Sequence, residues 1–531
     1  MNRKETSPPR SAEAGLWVEE QSSFLLTDDN RALLESTILP EYLALQRGFG
    51  GKNERGLSVS ICDVALKAGA AADLYLLLID TAGPTGSPER YFVPFVVDWR
   101  AESPSDEIVC EVGSAHGVGR LRDALDTFSG GAGVFLEWFR GGGSIPMQKG
   151  ELHFRPTGAW GERVESSGNT SEAHVSTVAS STNTVLRLGG SWILKVYRRV
   201  ERGPHPEAEC AEYLEEEISL ESVPRHLGTF HYESAEGETT TLGIVQEAID
   251  GEDAWDHTAA ALRRTVVGGV APKASSHGIF GESIKFATSL GDTTASLHLA
   301  LSGLRTAPSF GSPFRCAAVS SDDLQCWSQA AIARAQRVGE QLADARTRLS
   351  TDDAHLVDRL SVEWEALLGE LGRLPQCQES GGKIRCHGDY HLGQVLIRGD
   401  DLFVIDFEGE PERSLAERRS LASPLKDVAS MVRSFSYAIH AFRASDGGGR
   451  LHDWEAAWEE TSVSSFLRSY RECVGKFALA PSDTVEFNRL LNFFLIEKAV
   501  YELGYELAYR PDWVNVPASG LLALLTSLRR V

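Results

Sequence analysis

Apolar and polar positions along the first hundred residues separate one helix from several short strands. Helical spacing predicts a helix from Asp29 to Gln46. QRGFGGKNERG then breaks the pattern, and LSVSICDVAL, DLYLLLID and RYFVPFVVDW read as strands. A helix is expected over 117–128. The glycine runs SGGAG and RGGGS read as turns, because they do not follow a strand-to-helix phosphate pattern. STVASSTNTVLRLGGSWILKVYRR reads as strand, polar loop, strand, turn, strand. A helix follows from about Pro206 to Glu217, and TLGIVQEAIDGEDAWDH gives an apolar strand and a polar crossover. From about residue 256 helical periodicity dominates, apart from a strand pair flanking Ile397 to Ile405. Residues 264–282 read as a surface-loop insertion, and a long helix is expected from about Val485 to Tyr509.

These elements divide the chain into a disordered lead-in (1–15), a cap (16–130), a β-rich lobe (131–252) and a mostly helical lobe (253–531). A length of 531 residues suits two or three domains, or one large two-lobed enzyme. At 42% hydrophobic and 24% charged residues the chain can bury a sizeable core. A net charge of -23 argues against nucleic acid or an anionic membrane as partner. No apolar run approaches the ~20 residues that span a bilayer, and the N-terminus lacks an apolar signal core, so a cytoplasmic location is expected. The eight cysteines are scattered without a CxxC pair, which fits reduced thiols. Cys386 reads as a small buried residue rather than a nucleophile.

The chemistry concentrates in residues 385–411, RCHGDYHLGQVLIRGDDLFVIDFEGEP. Asp389 precedes the amide Gln394 by five positions, the spacing of a kinase catalytic loop, where the acid takes a hydroxyl proton and the amide holds magnesium. Asp406 follows the apolar strand Leu402 to Ile405, where kinases place the Asp that binds the phosphate-bridging metal. Gln394 and Asp406 are therefore candidate Mg²⁺ ligands. Glu408 offers a further carboxylate, for a second Mg²⁺, the sugar or a structural salt bridge. HGDYH invites a transition-metal reading, but no second histidine cluster completes such a site. His387 is expected to pack and hydrogen-bond under the loop, with His391 a substrate contact. Asp427 should brace the loop through backbone N–H groups.

Upstream, Lys195 sits inside the apolar strand ILKVY, where an unpaired cation is costly. It reads as the lysine that faces ATP phosphates, with Glu209 the preferred partner and Glu207 the alternative. Ser181, Thr182 and Asn183 are candidates for a phosphate-holding turn, an ordinary β-turn being the alternative. Gln246 and Glu247 are placed at the nucleotide site. On the C-terminal helix Lys498, Tyr501, Glu502 and Tyr505 share one face and could form a sugar wall of aromatic planes and forked polar groups. The alternative is an amphipathic helix with a Glu502–Lys498 pair. Trp513 is a further stacking candidate.

HGDYHLGQVL, VIDFEGEP, LAERRSLASPLKDVASMVRSFSYA and LNFFLIEKAVYELGYELAYRPDWVNVP together resemble the bacterial maltokinases. Upstream TNTVLRLGGSWILKVYRRVERGPHPEAE and QRGFGGK add to the likeness, which runs from about 40 to 517. The resemblance implies an α+β, two-lobed protein-kinase-like (aminoglycoside-phosphotransferase-like) fold with an extra N-terminal cap. It implies ATP- and Mg²⁺-dependent phosphorylation of maltose at its anomeric hydroxyl, feeding glycogen synthesis, with a separate trehalose synthase as a candidate complex. It carries the base onto Asp389, the metal ligands onto Gln394 and Asp406, and the ATP lysine onto Lys195. Gly48, where the family usually has an aromatic, and the SST before Asn183 depart from its pattern. Glucosamine, another free sugar or an aminoglycoside stands as the alternative acceptor. A catalytically dead binding protein and a metallohydrolase are the readings from other classes.

Overall fold

The computed structural model describes residues 16–19, 26–46, 49, 57–67, 72–83, 88–99, 108–115, 117–125, 131–164, 175–178, 183–265, 280–304, 312–445 and 453–529. The expected lead-in 1–15, residues 266–279 of the insertion 264–282, Gly48, and Ser181 and Thr182 of the phosphate turn lie outside them. The chain forms two compact units, residues 1–212 with 225–248, and residues 213–224 with 249–531.

The first unit holds two sheets, each of seven strands among the described residues. One is ordered Leu16–Val18, Cys110–Ser114, Gly117–Asp123, Glu89–Asp98, Ala72–Ala82, Ser58–Lys67, with Arg199–Val200 also pairing Glu89–Asp98. Its interior strand Ala72–Ala82 explains the unbroken run DLYLLLID. Leu74, Leu76 and Leu78 enter one core, whereas Tyr75, Leu77 and Ile79 enter another on the opposite face. A sheet covered on both faces needs apolar residues at every position, and each buried leucine contributes roughly 1.5–3 kcal/mol. The second sheet is ordered Ser144–Pro146, Gly150–Pro156, His226–Ser234, Thr239–Glu247, Trp192–Val196, Thr184–Leu188, Val175–Val178. Phe154, Leu194, Phe230 and Val245 from it share the first core with Leu76 and Phe92.

Two expectations fail in this unit. The segment read as a helix over 117–128 starts as the strand Gly117–Asp123, paired on both sides. Glycines at 117 and 119 and the β-branched Val118 disfavour a helix. A Cβ at Gly119 would lie 2.7 Å from the Trp99 ring, so the close approach of that ring requires glycine. The SGGAG run is not a turn throughout, because the helix Gly131–Gly141 begins within it. Phe135 and Phe139, four apart and fully buried, anchor that helix in the core and outweigh the poor propensity of its glycines. RGGGS does turn the chain, with Gly142 at φ 53 just past the helix end. The expected helix Asp29–Gln46 is present as Asp28–Leu33 and Leu39–Leu45 joined by a π-helical turn.

The second unit is mainly helical, as its periodicity predicts. Gly281–Leu301, Ser321–Ala345, Thr351–Gly372, Leu425–Ser445, Asp453–Val474 and Thr484–Tyr509 are its long helices among the described residues. Asp483 caps the last of these, accepting from the N–H groups of Val485 and Glu486. The catalytic segment hangs on a small sheet, in which Val395–Arg398 pairs with Asp401–Val404 and with Glu252–Asp253. All eight cysteines are free thiols. No helix among the described residues is long and apolar enough to cross a membrane.

Candidate active site

In the first unit Lys195 lies in the strand Trp192–Val196, opposite Ile244. Its ammonium is buried and pairs with Glu207, at 3.2 Å to Oε1 and 2.9 Å to Oε2. The Tyr197 hydroxyl donates to Glu207 Oε2 at 2.8 Å, and Gln246 Nε2 lies 3.5 Å from Oε1. The preference for Glu209 is therefore corrected to Glu207. Both stand on the helix Pro206–Tyr213, but two residues turn a helix by about 200°. That rotation leaves Glu209 half-buried on another face, whereas Glu207 is fully buried. Asn183 Oδ1 accepts from the Arg198 N–H at 3.4 Å, which ties its amide to the backbone just past the strand Trp192–Val196. Glu247 closes the strand Thr239–Glu247, its N–H donating to the Arg225 carbonyl.

In the second unit the HGDYH segment leaves the strand Gly382–Arg385 and crosses the start of the helix Leu425–Ser445. Asp427 performs the expected bracing: its carboxylate accepts from the N–H of His387 at 2.7 Å and of Gly388 at 2.9 Å. Burial works against its charge, but His298, His387 and the Gly388 N–H outweigh that and hold its pKa below the usual carboxylate value. Gly388 sits at φ 88, in the left-handed region that favours glycine. His387 packs under the loop as expected, Nε2 against the Ile405 carbonyl at 2.9 Å and its ring beside Phe407.

The candidate metal ligands converge. Gln394 Nε2 donates to Asp406 Oδ2 at 3.0 Å, which leaves the amide oxygen as a donor for a cation. Asp406 has φ 68, uncommon for a residue other than glycine. Carboxylate oxygens of Asp406 and Glu408 lie within 4.8 Å of each other. Their approach arises from the turn after the strand, which ends at Val404. Hard oxygen donors of this kind suit Mg²⁺.

Asp389 Oδ1 receives the Lys498 ammonium at 3.1 Å, and Oδ2 lies 3.9 Å from His391 Nε2. His391 also caps the turn Leu392–Gln394, Nδ1 accepting from the Gly393 N–H. Lys498 reaches Glu410 Oε1 at 3.2 Å and stands over the Tyr501 ring at 4.7 Å. Burial disfavours the ammonium, but the carboxylates of Asp389 and Glu410 outweigh it and raise its pKa above the ordinary lysine value. Glu410 is also wholly buried; Lys426, Lys498 and Arg413 together hold it well below the carboxylate range. Sequence reasoning missed Glu410. Its only local signal is a third acid at alternate positions after Asp406 and Glu408.

The sugar wall assembles only in part. Tyr501 stays with Lys498, but Glu502 is given to Arg433, which donates to it from Nε at 2.9 Å and Nη2 at 2.8 Å. Glu502 Oε2 thus serves as the partner of a buried guanidinium, and the Glu502 charge also acts on Lys498. Tyr505 is partly exposed and packs with Tyr509. Trp513 lies under the Arg510 guanidinium, 5.5 Å from its ring centre.

A family model described as phosphotransferase enzyme family matches residues 174–463, more than half of the chain. The chain belongs to the phosphotransferase enzyme family. It is 23% identical over 347 residues to a glucosamine kinase of Mycolicibacterium smegmatis, covering 65% of this chain and 77% of that protein. It is 24% identical over 288 residues to a glucosamine kinase of Streptacidiphilus jiangxiensis, covering 54% and 57%. A solved glucosamine kinase in complex with glucosamine, ADP and inorganic phosphate aligns at TM-score 0.59 and 20% identity, over 89% of this chain and 94% of that one. A second crystal form aligns at TM-score 0.61 and 19% identity, over 91% and 97%. The fold of this family member is kinase-like, with its helices and sheets arranged as expected for the class.

Proposed function

We propose that the protein transfers the γ-phosphoryl group of ATP to a hydroxyl of a free sugar. The observation that carries this is the Asp389 carboxylate, held on a loop braced by Asp427, in the same segment as the Gln394–Asp406 pair. The acceptor hydroxyl attacks phosphorus, the bond to the ADP oxygen breaks, and the hydroxyl proton passes to Asp389. Gln394, Asp406 and Glu408 would hold Mg²⁺, which supplies charge neutralisation at the phosphates. Lys195, oriented by Glu207, would offer its ammonium to the nucleotide phosphates. Positioning and electrostatics supply most of the catalysis in such transfers.

Glucosamine is the favoured acceptor, supported by the names of the relatives and by a likeness that runs through most of their length. Maltose is the second reading, supported by the run of motifs from HGDYHLGQVL to YRPDWVNVP. Purified protein with ATP and Mg²⁺ should be offered glucosamine, maltose, glucose and an aminoglycoside, with ADP release followed and the product assigned by phosphorus NMR. Turnover is expected to be highest on glucosamine. Higher turnover on maltose would exchange the two acceptors, and no acceptor-dependent ADP with any sugar would remove the sugar-kinase reading.

A further inference from the structure

Lys498 comes from the last long helix of the second unit, yet its head group ends on the carboxylate of the catalytic loop. An ammonium has three N–H donors. Here two of them are taken by Asp389 Oδ1 and Glu410 Oε1, and the Tyr501 ring centre lies 4.7 Å from the ammonium. Little donor capacity remains for a sugar hydroxyl, so a role as part of the sugar wall gives way to another.

The environment of Lys498 fixes its head group from several sides. Arg413 donates to Glu410 through Nε and to Glu497 through Nη2 at 2.9 Å, and Arg334 reaches Glu497 at 3.4 Å. Lys426 stands 4.0 Å from Glu410. Glu497 precedes Lys498 on the same helix, so this network ties the helix to the segment 410–413. A chain of paired charges therefore runs from Arg334 through Glu497, Arg413, Glu410 and Lys498 to Asp389. Buried and half-buried charges paired in this way have little freedom to reorient, because each displacement leaves a partner unmatched.

We propose that Lys498 is a positioning residue for phosphoryl transfer: it locks Oδ1 of Asp389, so that Oδ2 is the atom presented to the acceptor hydroxyl. This rests on the reading of Asp389 as the base. Glu410 acts one step further back, as the anchor that keeps the ammonium in place.

The test compares Lys498→Met, Lys498→Arg, Asp389→Asn and the double variant Lys498→Met with Asp389→Asn, using glucosamine and ATP. Thermal melts and ATP binding report folding. Lys498→Met is expected to lower kcat about 100-fold, the order of loss for a misplaced catalytic group, with both KM values nearly unchanged. Lys498→Arg, which keeps the charge but moves the donors, should restore part of the rate. In the Asp389→Asn background Lys498→Met should cost nothing further, because groups acting as a unit are not additive. A raised sugar KM at unchanged kcat would return Lys498 to the sugar wall. A full further loss in the Asp389→Asn background overturns the proposal while leaving the base in place. Wild-type turnover by Asp389→Asn alone removes the base reading, and the proposal with it. If Lys498→Met does not fold, Lys498→Arg carries the test: a folded protein with reduced kcat supports the proposal, and an undiminished kcat overturns it.

Discussion

Replacing Asp427 should detach the catalytic loop from the helix that carries it. Its carboxylate accepts two backbone N–H bonds, at 2.7 and 2.9 Å, and His298 Nε2 lies 3.3 Å away, all in a buried setting. Asp427→Ala leaves two N–H groups without this acceptor, each costing about 1–3 kcal/mol, so the loss should total about 2–6 kcal/mol. That is a large part of the roughly 5–15 kcal/mol that holds a typical protein folded. Asp427→Asn keeps one oxygen acceptor but turns an amide NH₂ towards the other N–H, so about half of that loss is expected. Urea unfolding at pH 7 checks both values, and turnover should fall with them. The pH dependence provides a second check. The folded pKa of Asp427 lies below the unfolded value of about 3.9. Its contribution is therefore fully present above about pH 4 and is lost as pH falls through the folded pKa. The stability gap between wild type and Asp427→Asn should narrow below pH 4. A loss under about 0.5 kcal/mol in Asp427→Ala, the level of an ordinary surface change, would refute this reasoning.

Two substitutions test the pairings of Glu207 and Glu502. Glu207→Ala leaves the Lys195 ammonium buried without its carboxylate and should cost about 3–5 kcal/mol of stability and weaken ATP binding, whereas Glu209→Ala should cost far less; equal effects in melts and ATP titrations would undo the assignment. Glu502→Ala strands the buried Arg433 guanidinium and should destabilise the fold by a similar 3–5 kcal/mol, with the sugar KM of the surviving folded enzyme unchanged. A raised sugar KM without loss of stability would make Glu502 a sugar ligand and not chiefly the partner of Arg433.

What the sequence made legible was local. Asp389, Gln394 and Asp406 fall in one stretch whose spacing carries the chemistry, with Asp427 a short way beyond it, and the structure brings Gln394 onto Asp406 and Asp427 onto the loop. Long strands and helices were legible where periodicity or an apolar run was strong, as in DLYLLLID and the helix Thr484–Tyr509. The phase of a helix against its neighbour was not. Choosing Glu207 over Glu209 depends on which side of the helix Pro206–Tyr213 faces Lys195, and no local pattern states that. The same holds for Glu502, whose partner Arg433 is 69 residues away, and for Glu410, 88 residues from Lys498. The misread segment at 117–123 fails for another reason: pairing on both sides and the Trp99 ring over Gly119 decide its conformation.

The central claim is that Asp389 accepts the proton of a sugar hydroxyl during phosphoryl transfer from ATP. The direct measurement is single-turnover phosphorylation of glucosamine by wild type and by Asp389→Ala, with ATP binding measured in parallel. The account predicts a rate lower by about 10²–10⁴-fold in the variant, with ATP binding retained. A variant that phosphorylates the sugar at the wild-type rate would contradict it.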